Sequence, residues 1–289
     1  MKPSISKLEK LMRTKSKAYS DQTKQLFSLT DKLDRQLYTF VKDNILPTFV
    51  YSSDSRIKST GVNLDASRNI KQLKDYISGT LNKDLQKFYA RSAKRNADVT
   101  NRYFNLFNPS KAISSSVARK GTKSLEVLVA SIFTKSNVQS EVESALSNAV
   151  LSNSTTSEAT QALSDIIRGK DGGLGVNQRY HYQQGQDAIR AHGSLLDNSF
   201  SQALNLNYAV YTGSEKTTTR SFCKSRIGNV YSRDEILSWQ DLEWSGKKKG
   251  HNIILDRGGW NCGHQYAWVS YELAKELRKD VPKSSFDKR

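Results

Sequence analysis

Apolar residues fall three and four apart over the first 46 positions. Leu26, Leu29, Leu33, Leu37 and Phe40 form one face, charged residues fill the other positions, and residues 4–46 read as helix. Pro47 and the following TFVYSSDS break the pattern. The same period returns over about residues 65–100, where Ile70, Leu73, Ile77, Leu81, Leu85 and Phe88 make a stripe. The end of that stretch, RSAKR, gathers cations near a helix C-terminus, where they suit the macrodipole. The Ser-rich, basic NPSKAISSSVARKGTK (108–123) reads as a polar connection, and apolar helix resumes at SLEVLVASIF (124–133). A short helix follows within 152–173, with Ser157 as N-cap, Leu163, Ile166 and Ile167 as its face, and Gly169 at C′. GKDGGLG is a turn. From residue 175 a long helix carries Ile189, Leu196, Phe200 and Leu204 as its buried stripe. Gly185 and Gly193 lie inside it, each costing about 1 kcal/mol against Ala, which points to the close approach of another backbone.

After this helix the period changes from 3.6 to 2. NYAVYTG (207–213), GNVYS (228–232), NIILD (252–256) and QYAWVS (265–270) read as strands. SRDEILSW opens with a capping box, Ser232 at N-cap and Glu235 at N3, and YELAKELRK (271–279) closes as a short helix. The expected fold class is α+β. A predominantly helical, basic arm over residues 1–150 precedes a small α+β module over 151–289 with a short antiparallel sheet.

Composition sharpens this picture. The chain has 289 residues, room for one large domain or two ordinary ones. Its hydrophobic fraction is a low 36%, but 13 Tyr, 10 Phe and 4 Trp supply aromatic area for a core, and 4 Pro are too few for long disordered linkers. The net charge of +17 is uneven: residues 1–135 carry +15 of it. A field of that size draws a polyanion, either nucleic acid or an acidic assembly partner. The candidate DNA or partner contacts are Arg91, Lys94 and Arg95, then Arg119, Lys120 and Lys123, then Lys247, Lys248 and Lys249 of GKKKG. GKKKG also reads as a solvated hairpin tip between two strands. No stretch approaches the roughly 20 apolar residues of a membrane span. The basic N-terminus has neither an apolar h-region nor a small-residue cleavage site. The expectation is a protein made in a cytoplasm that stays soluble or joins an assembly.

Two cysteines in 289 residues do not make a disulfide framework. In RGGWNCGHQYAWVS, read as strand, Cys262 and His264 share a face with Trp260, Tyr266 and Trp268. If the segment holding Arg220 and Cys223 packs there, both thiols meet an imidazole. Three readings stand. A Cys/His nucleophile pair needs a base and an orienting group, and no orienting acid or oxyanion hole is marked. A zinc site would draw on Cys223, Cys262 and His264, with His251 as fourth ligand, although the usual CxxC spacing is absent. A packed thiol pair, reduced or as a disulfide, is the default for buried cysteine. His181 and His192, eleven apart on the long helix, read as ordinary helix residues.

The run RSFCKSRIGNVYSRDEILSW, WSGKKKGH and RGGWNCGHQYAWV resembles the C-terminal module of tailed-phage minor head proteins, the Mu F-like head-morphogenesis family. Arg220, Cys223, Gly228, Gly258, Gly259, Asn261, Cys262 and His264 fit its pattern, and the resemblance covers roughly residues 160–270. Many members have an Asp two residues before the Arg, where this chain has Thr218. Many also carry CxxC and a final CRC, where this chain has single cysteines and Gly263. Those departures favour a structural thiol pair over a metal centre. The resemblance implies a non-enzymatic virion component that acts in head assembly. Its partners would be the portal or major capsid protein and packaged double-stranded DNA, contacted without sequence preference. The protein would be made in the host cytoplasm and end in the phage head with no cofactor, zinc being the one ion its cysteines would suit. Two other classes remain open: a nucleic-acid-acting or toxin-like effector enzyme using the Cys/His cluster, and a sequence-independent DNA-binding protein.

Overall fold

A computed structural model of the protein describes residues 4–68, 70–107, 110–134 and 137–288. The fold is α+β: mostly helix, with one three-stranded antiparallel sheet in the C-terminal part. The helices are α1 (Ile5–Phe40), α2 (Gly61–Ala66), α3 (Lys71–Tyr76), α4 (Asn82–Phe104), α5 (Lys111–Thr134), α6 (Val138–Leu151), α7 (Thr156–Arg168), α8 (Gln183–Ala203), α9 (Ser221–Lys224), α10 (Arg233–Ser238), α11 (Ile253–Asp256) and α12 (Tyr271–Leu277). The strands are β1 (Tyr208–Thr212), β2 (Val230–Ser232) and β3 (Gln265–Val269). Among the described residues no helix is long and apolar enough to cross a membrane.

The chain divides into two compact units. Residues 1–22, 90–128 and 186–289 form the first, and residues 23–89 and 129–185 the second, so both draw on residues from either side of position 150.

The first unit holds the sheet, in the order β2-β1-β3. Tyr208 pairs with Val269 and Tyr211 with Tyr266 across β1 and β3, and Ala209 pairs with Tyr231 across β1 and β2. All five residues of β3 are buried, as are the first four of β1. Leu8, Tyr103, Phe104, Val117, Leu196 and Phe200, from helical segments, share one core with Tyr208, Tyr211, Tyr266 and Trp268. Phe104 stacks on Phe200 at 4.8 Å, and the Tyr103 hydroxyl donates to the Trp268 carbonyl at 2.8 Å. The second unit, among its described residues, is helical apart from two isolated bridges, Tyr51 with Ile57 and Arg56 with Thr155. Leu26, Leu33 and Leu37 of α1 are buried there, as are Leu73, Leu81, Leu85 and Phe88 of the second predicted stripe.

Several local expectations need correction. The predicted single helix over 65–100 is broken into α2, α3 and α4, with a π-turn at Ile77–Leu81 joining the last two. The predicted polar connection is helix: α5 runs unbroken from Lys111 to Thr134, while residues 108 and 109 lie outside the described residues. The stripe continues through it as Val117, Gly121, Leu125 and Val129, all buried. Gly121 is a packing position in this helix, where a Cβ would strike the Leu196 side chain. The N-cap of α7 is Thr155, not Ser157, because TSEA places Glu158 at N3 and completes a capping box with Thr155. NIILD is the short helix α11 and not a strand. The Asn252 side chain accepts from the Ile254 and Leu255 N–H groups and starts a turn that an apolar run alone cannot distinguish from strand. GKKKG therefore has no flanking strands. Gly185 and Gly193 admit side chains and not a backbone: a Cβ would run into the Tyr89 hydroxyl at Gly185 and the Tyr19 hydroxyl at Gly193.

Candidate functional site: a buried dithiol and imidazole in the first unit

Three segments build the cluster. Strand β1 supplies Tyr211, whose N–H donates to the Asn229 carbonyl and whose carbonyl accepts from Gly228 N–H at 2.8 Å. Gly228 has φ 81°, a left-handed value that glycine adopts without strain, and this turn sets the approach to β2. The one-turn helix α9 supplies Cys223. The loop from Arg257 to His264 supplies the rest.

That loop is not strand, contrary to the expectation for Cys262 and His264. β3 starts at Gln265. Ahead of it, Arg257 (φ 55°), Gly259 (φ 93°) and Asn261 (φ 55°) all take left-handed backbone, and Cys262 N–H donates to the Gly259 carbonyl. Cys262 and His264 still project together, through turns and not through pleat. Tyr266 and Trp268 are buried as expected, whereas Trp260 is 50% exposed and leaves the predicted face.

Cys223, Cys262 and His264 converge. Their ligand-capable atoms all lie within 4.8 Å of one another, and the three residues are 1%, 3% and 6% exposed. Cys262 Sγ and His264 Nδ1 are 3.5 Å apart. The Tyr211 hydroxyl donates to Cys223 Sγ at 3.4 Å and lies 3.8 Å from Cys262 Sγ. Gly258 N–H donates to Cys262 Sγ at 3.3 Å. A Cβ on Gly258 would run into Cys223 Sγ and sit 3.0 Å from Cys262 Sγ, so glycine is required for the loop to lie against both sulfurs. The His264 ring stacks on Tyr211 at 5.4 Å, and its Nε2 is buried with no hydrogen-bond partner among the described residues. Both cysteines are free thiols.

The two thiols titrate as a pair. Cys223, hydrogen-bonded to Cys262 and buried, is pushed up, while Cys262, hydrogen-bonded to Cys223 and to His264, is held well below the usual thiol range. Burial also raises the Tyr211 phenol well above its ordinary value.

The other motif residues brace the loop. Arg220 donates to the Trp260 carbonyl at 2.7 Å and packs against Gly246, where no Cβ would fit. Gly246 accepts from Trp260 N–H at 2.9 Å, and a Cβ on Gly259 would collide with the same carbonyl. Asn261 N–H donates to Asp187 at 3.1 Å. Arg220, Cys223, Gly228, Gly258, Gly259, Asn261, Cys262 and His264 thus all belong to one packed arrangement. His251, the predicted fourth ligand, is not among the converging groups. It sits edge-on to Trp244, 4.0 Å from Asp256.

Some contributors carried no sequence signal. Asp187 on α8 is one acid among many, yet it takes Asn261 and an ion pair from Lys248. The Trp244 indole stacks on Phe222 at 3.9 Å and donates to the Gly258 carbonyl at 3.0 Å. Arg257 is buried and reaches the Arg190 carbonyl and Ser194 of α8. Tyr211 lies in NYAVYTG, which the sequence marks as a strand but not as part of the cluster.

The predicted cationic contacts separate into two kinds. Arg91 and Lys94 on α4, and Arg119, Lys120 and Lys123 on α5, are exposed. Arg95 is paired with Asp21 at 2.9 Å. In GKKKG, Lys248 bridges Asp187 and Asp256, and Lys247 is spent on the Gln240 and Leu242 carbonyls and Glu243. Neither has a charge to spare for phosphate, and only Lys249 of the three is exposed. His181 and His192 are both buried in helical segments, which lowers each to about 4.

Comparison of the chain with protein-family models, with curated proteins and with solved structures returns no match.

Proposed function

We propose that this chain is a structural protein of a tailed-phage head, a minor head protein of the Mu F-like type. It docks on the portal or major capsid protein and touches packaged DNA without reading its sequence. It performs no catalysis, is made in the host cytoplasm and ends in the virion. The observation that carries the reading is that residues of the resemblance come together within the first unit: Cys223, Cys262 and His264 converge beside Tyr211 of β1, while Arg220 and Asn261 anchor the loop that carries two of them. They act as a fold element. A thiol nucleophile would need a route to its substrate, but both thiols and the imidazole are buried beneath Tyr211 and Gly258. This disfavours the effector-enzyme reading.

The exposed cations on α4 and α5 support the DNA contact and keep sequence-independent DNA binding as the second reading. Proteomics of purified phage particles carrying this gene tests the first reading: the protein co-purifies with heads and their portal. Its absence from particles sinks it. A salt titration of duplex DNA binding tests the second. Replacing Arg119, Lys120 and Lys123 with Ala lowers the log–log salt slope by about 3 if each meets a phosphate. An unchanged slope removes that face from the interface.

A further inference from the structure

Two thiols and an imidazole are taken out of water here with little in return. Sulfur is a weak hydrogen-bond partner, and the polar neighbours of the sulfurs are one hydroxyl, one amide and one ring nitrogen. His264 Nε2 has no partner among the described residues. Buried polar groups left so poorly compensated call for an explanation.

The distances supply one. A tetrahedral zinc ion with bonds of about 2.3 Å to sulfur and about 2.0–2.1 Å to nitrogen sets its sulfur and nitrogen ligands roughly 3.5–3.6 Å apart. Cys262 Sγ and His264 Nδ1 are 3.5 Å apart. An oxygen at the remaining corner would lie at a similar distance from each sulfur, and the Tyr211 oxygen is 3.4 and 3.8 Å from them. A disulfide would bring the sulfurs to about 2.0 Å. Here both thiols are free, and each accepts a hydrogen bond of the kind that steadies a thiolate.

We propose that Cys223 Sγ, Cys262 Sγ and His264 Nδ1 hold a zinc ion, with the Tyr211 hydroxyl closing the fourth side. Both sulfurs bind as thiolates, any remaining thiol proton leaving to solvent, and two thiolates, a neutral imidazole and Zn²⁺ make a site of zero net charge. A neutral complex is the form that a buried pocket tolerates best. With no face open to solvent, the site is structural, tying α9 to the Arg257–His264 loop. The chain has no third cysteine for the remaining corner, and the Tyr211 hydroxyl lies at ligand spacing from both sulfurs instead. This inference is independent of the head-assembly reading.

The test uses the full chain, purified without chelators under reducing conditions and with zinc in the growth medium. Elemental analysis is expected to find one zinc per chain, with both thiols unreactive until chelator and denaturant are added together. Exchange with Co²⁺ is expected to give tetrahedral visible bands and a thiolate-to-cobalt charge-transfer band sized for two thiolates. Cys262→Ser loses the bound metal, and Tyr211→Phe binds zinc about tenfold more weakly. If the serine variant fails to fold, the cobalt spectrum of the unaltered chain decides alone. A metal-free chain without the charge-transfer band overturns the proposal. So does a Cys223–Cys262 disulfide in protein isolated anaerobically.

Discussion

Each unit buries an aspartate, and the two are held by opposite means. Asp197 in the first unit is 3% exposed and forms an ion pair with Lys15, itself buried, with Arg257 also acting on it. Asp34 in the second unit is 2% exposed and has no cation bonded to it among the described residues. It collects neutral donors instead: Asn177 N–H at 2.7 Å, Asn177 Nδ2 at 3.0 Å and Gln178 N–H at 3.3 Å. The nearby Arg179 is engaged with Glu141. Burial raises both carboxyls, and for Asp34 the result is about 7. One acid therefore balances a charge, and the other organises the start of a helical segment.

The largest consequence is expected where a charge would be orphaned. Asp197→Ala leaves the Lys15 ammonium buried without its partner, and removing one member of such a pair costs about 3–5 kcal/mol. Urea unfolding of the full chain measures it. Lys15→Met with Asp197→Leu removes both charges and restores most of the loss. A single variant within about 0.5 kcal/mol of the parent would show that the pair carries no weight.

Asp34 predicts a pH dependence. Its folded value of about 7 lies above the ordinary carboxyl value of 3.8, so the folded chain holds this proton more tightly than the unfolded chain. The stabilisation is fully present below about pH 4 and is lost as pH rises through about 7, by a few kcal/mol at about 1.4 kcal/mol per pKa unit. Asp34→Asn does not titrate and lacks that slope. Unfolding free energies at pH 4 to 8 for both proteins decide the matter. Parallel curves would show that the three N–H donors hold Asp34 ionised throughout.

The two glycines of the long helix make a matched pair, one per unit. Gly185→Ala would press on the Tyr89 hydroxyl and Leu26, and Gly193→Ala on the Tyr19 ring. Each overpacking is expected to cost about 1–3 kcal/mol despite the better helix propensity of Ala. Tyr89→Phe should relieve Gly185→Ala more than Tyr19→Phe relieves Gly193→Ala. At Gly193 a ring carbon, Tyr19 Cζ, also lies 2.6 Å from the added Cβ, against 3.2 Å for Tyr89 Cζ at Gly185. Unfolding of the two double variants checks the order.

What was legible from sequence follows the rarity and periodicity of the residues. The three sheet strands and the Ser232–Glu235 capping box were visible because alternation and capping chemistry are local. The cluster announced itself because the chain has only 2 Cys and 4 His. Its geometry did not, because Cys262 and His264 meet through left-handed turns at Gly259 and Asn261 that no alternation rule encodes. Asp34, Asp187 and Asp197 were invisible because an isolated Asp reads as surface until tertiary contacts bury it. The strand expected at 252–256 failed because one capping Asn outweighed four apolar or acidic residues of ambiguous period.

The capping boxes give the smallest and cleanest contrast between the units. Thr155 and Glu158 cap α7 with Glu158 exposed, so water can replace the lost bonds. Ser232 and Glu235 cap α10 with Ser232 buried, and Glu235 also takes Arg278 at 2.8 Å. Truncating a cap to Ala costs about 0.5–2 kcal/mol, least where solvent can substitute. Thr155→Ala should therefore fall near the lower end and Ser232→Ala near the upper, since the Glu235 N–H is orphaned beside a buried residue. Equal losses in urea unfolding would mean that burial at Ser232 adds nothing to the cap. A larger loss at Thr155 would instead locate the weight of that box in the isolated bridge between Arg56 and Thr155, where the cap and the bridge share one residue.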